Sequence, residues 1–544
     1  MNRHEIEISS KTNQPQQETP VELSCDTYAG VVHVEWDTQA PVTPIGQLVF
    51  FIQFLKSCDL FGSWVKDCPL KYDGPRGPAI VDVLGTLFLA VLSGYKRYSH
   101  ITSIRNDAVN PPLLGMTKVL SEDSARRAFQ KIEPQICKQW QHKHLEYCYE
   151  PLLDEQWILD IDTTVKVLYG HQEGAEVGYN PRKPGRPAHI IHTYMMSETR
   201  LILECEVLPG KQSAASYSLP WLIDFIEKNP KHKWPILVRG DCAFGNDPFL
   251  KALEEKGVNY LFKLRQTKKV KQLTHILEGS MWVDAGQRWE GVEAEIKLDG
   301  WERKRRVVVL RRELEDDGKR KKKRKIRTSR QLYLPGMFCP GMNEGDKYEY
   351  SVLVTSLPGE ILTLAQLYRD RATCENNFDE LKNQWGWAGF VTQDLKRSQI
   401  MARIIAQVYN WWTLFVRWID KDQHREAVTS RPLMLHGVAR EVRHARQVTL
   451  KLTQMHGKCQ NIKQHIGLIT NFLNKVKTYA ERLLSKVDRW RLILSEIFSN
   501  FLNGRILGEG NTRQIEQNIA APPSSLGLLK YDPGDDGPLC YAPV

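Results

Sequence analysis

Four residues in the last third of the chain carry chemistry at a spacing that a helix turns to one side: Tyr368, Arg371, Glu375 and Lys382. They lie in Tyr368-Arg-Asp-Arg-Ala-Thr-Cys-Glu-Asn-Asn-Phe-Asp-Glu-Leu-Lys382, which has no Gly or Pro and reads as helix interior. At roughly 100° per residue their side chains fall within about 60° of arc. Leu367, Cys374, Phe378 and Leu381 form an apolar stripe beside them. One face can then pack on a core while its neighbour presents an acid, two bases and a phenol. Glu380 points away, which leaves Glu375 as the carboxylate of interest. A solvated helix face has the same spacing, so the remaining chain must decide.

Two strands upstream supply further acids. Trp157-Ile-Leu-Asp-Ile-Asp-Thr-Thr-Val-Lys-Val-Leu-Tyr alternates and is β-branched, so it reads as a strand. Its Asp160 and Asp162 share a face, and acids on an apolar strand are costly unless they hold something. Trp234-Pro-Ile-Leu-Val-Arg-Gly-Asp241 is a short apolar strand ending on an acid. In open α/β sheets, sites gather at the C-terminal ends of strands. Asp162, Asp241 and Glu375 would then meet from three separate elements. Three carboxylates so placed suit two hard divalent cations, magnesium or manganese. Two such ions can activate a water or a 3′-hydroxyl and stabilise the leaving oxygen of a phosphoryl displacement. No nucleophilic Ser, Cys or Tyr is needed.

The elements that must position these residues follow in order. Residues 1–40 are weakly patterned and read as a flexible arm. Residues 41–150 turn helical, with Ile80–Leu92 buried and a short helix capped by Ser121. That helix would leave Arg126 and Arg127 exposed, as a DNA-recognition helix or as an ordinary bundle helix. From 151 to 395 the order strand, strand, strand, helix, strand, helix, strand gives a mixed α/β sheet. Gly178-Tyr-Asn-Pro-Arg-Lys-Pro-Gly-Arg186 is rigid and basic and suits a phosphate-facing loop. Residues 266–350 read as a β-rich insertion, with a hairpin turning at Asp299-Gly300 and the run Lys319-Arg-Lys-Lys-Lys-Arg-Lys325. Lys322 and Lys323 in that run would meet a phosphate backbone, or stand as a solvated loop tip. Residues 396–505 are again helical, and 506–544 form a Pro/Gly-rich tail.

Composition turns the site into a substrate argument. The chain has 544 residues and a net charge of +11, which favours a polyanion, nucleic acid first. Eleven cysteines without a C-x-x-C pair argue against a disulfide framework or structural zinc. The polar N-terminus is no signal peptide, and no apolar stretch is long enough to span a bilayer. A soluble, cytoplasmic protein with no membrane partner is expected.

Tyr368-x2-Arg371-x3-Glu375-x6-Lys382 resembles the YREK signature of bacterial insertion-sequence DDE transposases. Asp-Thr-Thr at Asp162 and Arg-Gly-Asp-Cys-Ala-Phe at Asp241 resemble that family's two aspartate motifs. Gly170-His-Gln-Glu-Gly followed by Gly178-Tyr-Asn-Pro resembles one branch of it. The resemblance covers roughly 155 to 395. It implies a ribonuclease H-like catalytic core, with Asp162, Asp241 and Glu375 as the catalytic, metal-binding triad. It implies two Mg2+ ions per site, with Mn2+ able to substitute. Tyr368, Arg371 and Lys382 would hold phosphates near the scissile bond. Partners would be double-stranded DNA, both transposon ends and target, and a second copy in a synaptic homodimer. The setting would be the bacterial cytoplasm, associated with the nucleoid. In the family an aromatic residue of the insertion can stabilise a flipped base, and Trp282, Trp289 and Trp301 stand in that region. Asp160 competes with Asp162, although Thr163 beside Asp162 favours the latter.

The function expected is a transposase that binds terminal inverted repeats, cleaves at the ends and joins the 3′-hydroxyl to target DNA. A metal-dependent nuclease of the same fold, or a non-catalytic DNA-binding derivative, would share much of this sequence.

Overall fold

The structure is a computed structural model, and it describes residues 23–34, 40–72, 74, 77–180, 183–314, 347–421, 424–453, 459–483 and 485–508. Lys322 and Lys323 lie outside the described residues.

Part of the expected arm is ordered as a hairpin of β1 (Leu23–Thr27) and β2 (Gly30–Val34). Its turn is closed by Thr27, whose Oγ1 donates to the Gly30 carbonyl at 2.8 Å, and by Gly30 at φ 105°. After β3 (Val42–Thr43) come α1 (Leu48–Ser57), α2 (Leu60–Lys66), α3 (Ile80–Leu92), α4 (Asn110–Leu113), α5 (Glu122–Arg127) and α6 (Pro134–Tyr149). Helix α3 is apolar all round and is buried accordingly. Ser121 caps α5 by accepting from the Ser124 backbone N–H. The helix then ends after six residues.

The central sheet is built from β4 (Ile158–Val167), β5 (Glu176–Val177), β6 (Pro187–Met196), β7 (Leu201–Pro209), β8 (Leu237–Gly240) and β9 (Tyr260–Lys263). Helices α7 (Ala214–Lys228) and α8 (Asp247–Lys256) make the crossovers around β8. β4, β8 and β9 run parallel, while β6 pairs antiparallel with both β4 and β7. The alternation read from sequence accounts for this half of the sheet.

The described strands of residues 266–350 join the central sheet. After α9 (Lys268–Ile276), the strands β10 (Val283–Asp284), β11 (Glu290–Ile296), β12 (Arg305–Glu313) and β13 (Tyr348–Thr355) extend the same sheet to ten strands. β13 pairs antiparallel with β9. Its second half, Ser351–Thr355, is buried, so the sheet edge offered by β9 is covered. The β11–β12 connection is also longer than the expected turn. Pairing stops at Ile296 opposite Arg305, with Asp299 and Gly300 inside the loop.

Helices α10 (Ile361–Arg369) and α11 (Ala372–Asn383) precede α12 (Leu395–Ile419), α13 (Ala427–Met434), α14 (Cys459–Leu483) and α15 (Lys486–Ile497). Two further strands, β14 (Ala439–His444) and β15 (Gln447–Leu452), interrupt the expected all-helical C-terminal region; they pair with each other, and β14 also pairs with β3. The N- and C-terminal helical regions are not independent either. Phe51 of α1 meets Trp412 and Phe415 of α12 at ring distances of 5.1 Å, and Trp64 meets Trp411 at 5.4 Å. One hydrophobic core joins both regions to the sheet.

Helix α12 is anchored on β7 by a buried guanidinium. Arg403 donates to Glu204 at 2.8 Å and to Glu206 at 3.0 Å. Burial alone would raise the Glu204 carboxyl, but Arg403 and His142 overcome it and hold the group down at about 2. A carboxyl depressed on folding stabilises above its unfolded value, and that stability is lost as pH falls towards the folded one. Stability should therefore decline between about pH 4.5 and about pH 2. Urea midpoints measured across that range check this. Replacing Glu204 by Gln should flatten the decline, and an equally steep decline in that variant would refute the assignment.

Candidate active site

The parallel register of β4 and β8 places the acids. Asp160 faces Arg239 and Ile161 faces Gly240, so Asp162 and Asp241 follow each other just past the last paired residues. Asp160 and Arg239 form a two-pronged ion pair at 2.7 and 2.8 Å, both about 1% exposed. Asp160 is thus satisfied by a structural partner. Arg239 also donates to Ser197 Oγ and to the backbone carbonyl of Leu367, each at 2.5 Å.

That last bond explains the largest departure from the sequence reading. The stretch from Tyr368 to Lys382 is not one helix: α10 ends at Arg369 and α11 begins at Ala372. In a continuous helix the Arg371 N–H would bond to the carbonyl of Leu367. Arg239 takes that carbonyl instead, and the Arg371 N–H turns to Tyr368 at 3.2 Å. A side chain entering the hydrogen-bond ladder is a recognised cause of a kink. Asp370 and Arg371 keep right-handed helical backbone angles across the break, so the side chains on either side of it stay close.

Arg371 joins them. It is buried, donates to Asp162 Oδ2 at 2.6 Å and to Glu375 Oε1 at 2.9 Å, and lies 5.5 Å from the Tyr368 ring. Asp162 also accepts from the Thr163 backbone N–H at 2.7 Å. Burial raises the Asp162 carboxyl to about 7. Arg371 opposes this rise, and the charge of Asp241 adds to it. Burial raises the Tyr368 phenol to about 12. Asp241 accepts from the Ala243 N–H at 2.8 Å, which fixes the turn after β8. Glu375 is largely exposed, and Lys382 sits half-buried two turns further along α11. Cys374, Phe378 and Leu381 are buried and hold α11 on the sheet. Glu380 is buried away from the site, accepting from Trp385 Nε1 and from the Ala427 N–H.

Among the described residues no three His, Cys, Asp or Glu side chains converge closely enough to hold one metal ion. The donors nevertheless fit a hard divalent cation. Asp162 and Asp241 carry carboxylate oxygens of the hard type such a cation takes, and Arg371 bonds both Asp162 and Glu375.

The remaining expected contacts lie elsewhere. Arg186 sits 5.6 Å from the exposed Tyr169 ring, with Lys183 at 5.0 Å from the same ring. Gly178 holds this loop close to the chain, since a Cβ there would fall 1.9 Å from the Gly210 carbonyl. Arg126 and Arg127 both pair with Asp123 on α5. Trp301 is buried against Arg305, while half-buried Trp282 and Trp289 stack with Arg311 and Arg312. Sequence reasoning passed over Arg239. The available signal was a charged residue inside a short apolar strand, two positions before Asp241, which had to find a buried partner.

The model of the transposase DDE domain, group 1, matches residues 79–472. No curated protein matches the chain. Among solved structures, a cryo-EM structure of the piggyBac transposase synaptic complex with hairpin DNA is similar over 90% of this chain and 89% of that one, at 11% identity and a TM-score of 0.36.

Proposed function

Since the chain belongs to the family of the transposase DDE domain, group 1, we propose that it binds the terminal inverted repeats of its own element, cleaves at the ends and joins the freed 3′-hydroxyl to target DNA. The coarse reading, a DNA transposase dependent on divalent metal, follows from the family. The bacterial insertion-sequence type, a YREK-class site, a ribonuclease H-like core, a synaptic homodimer and a nucleoid-associated location are further parts of the proposal. Residues 151–395 would be the catalytic unit, and the helical regions on both sides share one hydrophobic core with its sheet.

One observation carries the reading: Asp162, midway along β4, and Asp241, just past the end of β8, both follow the last paired residues of these parallel strands, and Arg371 ties Asp162 to Glu375. Asp162, Asp241 and Glu375 would hold the magnesium ions, which when bound activate the attacking oxygen and stabilise the leaving one. Arg371 would then release its carboxylates and bind the phosphate beside the scissile bond, since a guanidinium recognises either group through paired donors. The Tyr368 phenol keeps its proton at neutral pH and can donate to a phosphate oxygen. Lys382 would bind a phosphate further along α11. Lys183 and Arg186, gathered round Tyr169, would contact the backbone beyond the site. Arg126 and Arg127 would do so only by exchanging Asp123.

Pre-cleaved ends, magnesium and a supercoiled target plasmid test the proposal. Joined end–target product is expected. Cleavage of intact ends with no joined product would make the protein a nuclease of this family, and binding with neither reaction a non-catalytic derivative.

A further inference from the structure

We propose that the β14–β15 ribbon is a second DNA-binding element, one that lies along duplex DNA with its Arg440–Lys451 face on the phosphates. The proposal rests on the reading of DNA as partner and goes beyond it by assigning a site outside the acid cluster.

Among the described residues the ribbon is bonded to the protein at its base. β14 pairs with β3 through Ala439 and Arg440, and the Glu441 N–H donates to the Pro41 carbonyl at 2.9 Å. Ala439 and Glu441 are buried where the ribbon leaves the core, whereas every residue from Arg443 to Thr449 is exposed. Each strand has six residues, a reach of about 20 Å. A two-stranded ribbon of that size fits the major groove, about 12 Å wide.

Its charge pattern names the partner. Arg440 stands directly opposite Lys451 in the antiparallel register. Directly opposed like charges destabilise a hairpin, and the same face continues with Val442, Thr449, His444 and Gln447, none of them acidic. The single acid of the ribbon, Glu441, points to the other face and is paired with Arg443. Arg446 adds a cation at the tip, where Ala445 is held at φ 53°, a left-handed conformation that L residues rarely adopt. Arg440, Arg446 and Lys451 make no ion pair among the described residues. An exposed strand pair that sets cation against cation and keeps its one carboxylate on the far side complements a polyanion with regularly spaced charges.

The test measures binding of the full-length protein to a random-sequence duplex across a salt series. The variants are Arg440→Ala/Arg446→Ala/Lys451→Ala and the charge-keeping Arg440→Lys. Each phosphate contact contributes about 0.9 to the slope of log affinity against log salt. The triple variant should lose about 2.7 of that slope and weaken on the order of tenfold per contact at 0.1 M salt. Arg440→Lys should keep the wild-type slope. An unchanged slope in a folded triple variant, with wild type binding the duplex, would overturn the ribbon assignment alone. Failure of the wild-type protein to bind any duplex would overturn the DNA reading itself.

Discussion

Asp162→Asn and Glu375→Ala are each expected to reduce end cleavage by at least about 10³-fold while leaving specific end binding within about twofold of wild type. Asp162 is buried next to the charge of Asp241, and Arg371 donates to it. Asparagine keeps its shape but removes the charge that a divalent cation would need. A loss of about 4 kcal/mol of transition-state stabilisation corresponds to about that factor. Glu375 is two-thirds exposed, and its carboxylate accepts from Arg371. Alanine there removes the proposed metal ligand with little cost to the fold, so its melting temperature should match wild type. Gel-based cleavage with magnesium and fluorescence binding to labelled ends separate the two effects. Full magnesium-dependent cleavage by Glu375→Ala would falsify the triad and free α11 of any catalytic role.

Asp160→Ala should instead unfold the protein more easily, by about 3–5 kcal/mol, because it leaves Arg239 buried without its carboxylate. Both side chains are almost fully enclosed, and Arg239 also holds Ser197 and the Leu367 carbonyl. The loss should appear as a large drop in melting temperature or in soluble yield. Replacing the pair together, Asp160→Leu with Arg239→Met, should recover most of that stability, since apolar substitutes for buried ion pairs are often neutral. Recovered stability in the double variant with reduced cleavage would fit the role of Arg239 in setting the α10–α11 break. If Asp160→Ala kept wild-type stability and lost cleavage, Asp160 rather than Asp162 would belong with Asp241.

Much of the sheet was legible because its signals are local. The alternation of Ile158–Val167 and the short link from β6 to β7 each fix an element without reference to distant residues. Helix α3, apolar over its whole length, is the same kind of signal. Beyond β9 the signals weaken. Strands β11 to β13 read correctly as strands, but whether they form a separate insertion or extend the sheet depends on β13 meeting β9, some ninety residues apart. The β14–β15 ribbon was read as helical country. Its residues, such as Arg440 and Arg443, carry no strong strand preference, and pairing with β3 from the other end of the chain supplies what propensity does not.

The sequence by itself determined the cast: Asp162 on the first long strand, Asp241 at the end of a later one, and Tyr368, Arg371, Glu375 and Lys382 at a fixed spacing. Residue type and spacing are properties of the chain alone, and so was the apolar stripe that seats α11. Only the tertiary structure decided how that cast meets. A stretch with no Gly or Pro breaks at Asp370-Arg371 where Arg239, 128 residues upstream of Leu367, bonds the carbonyl that a continuous helix would use. The same contact distinguishes Asp160, neutralised by Arg239, from Asp162, bonded to Arg371. Neither outcome can be read locally, because a backbone hydrogen bond and a buried side chain compete for one acceptor, and the winner is set by which strands lie side by side.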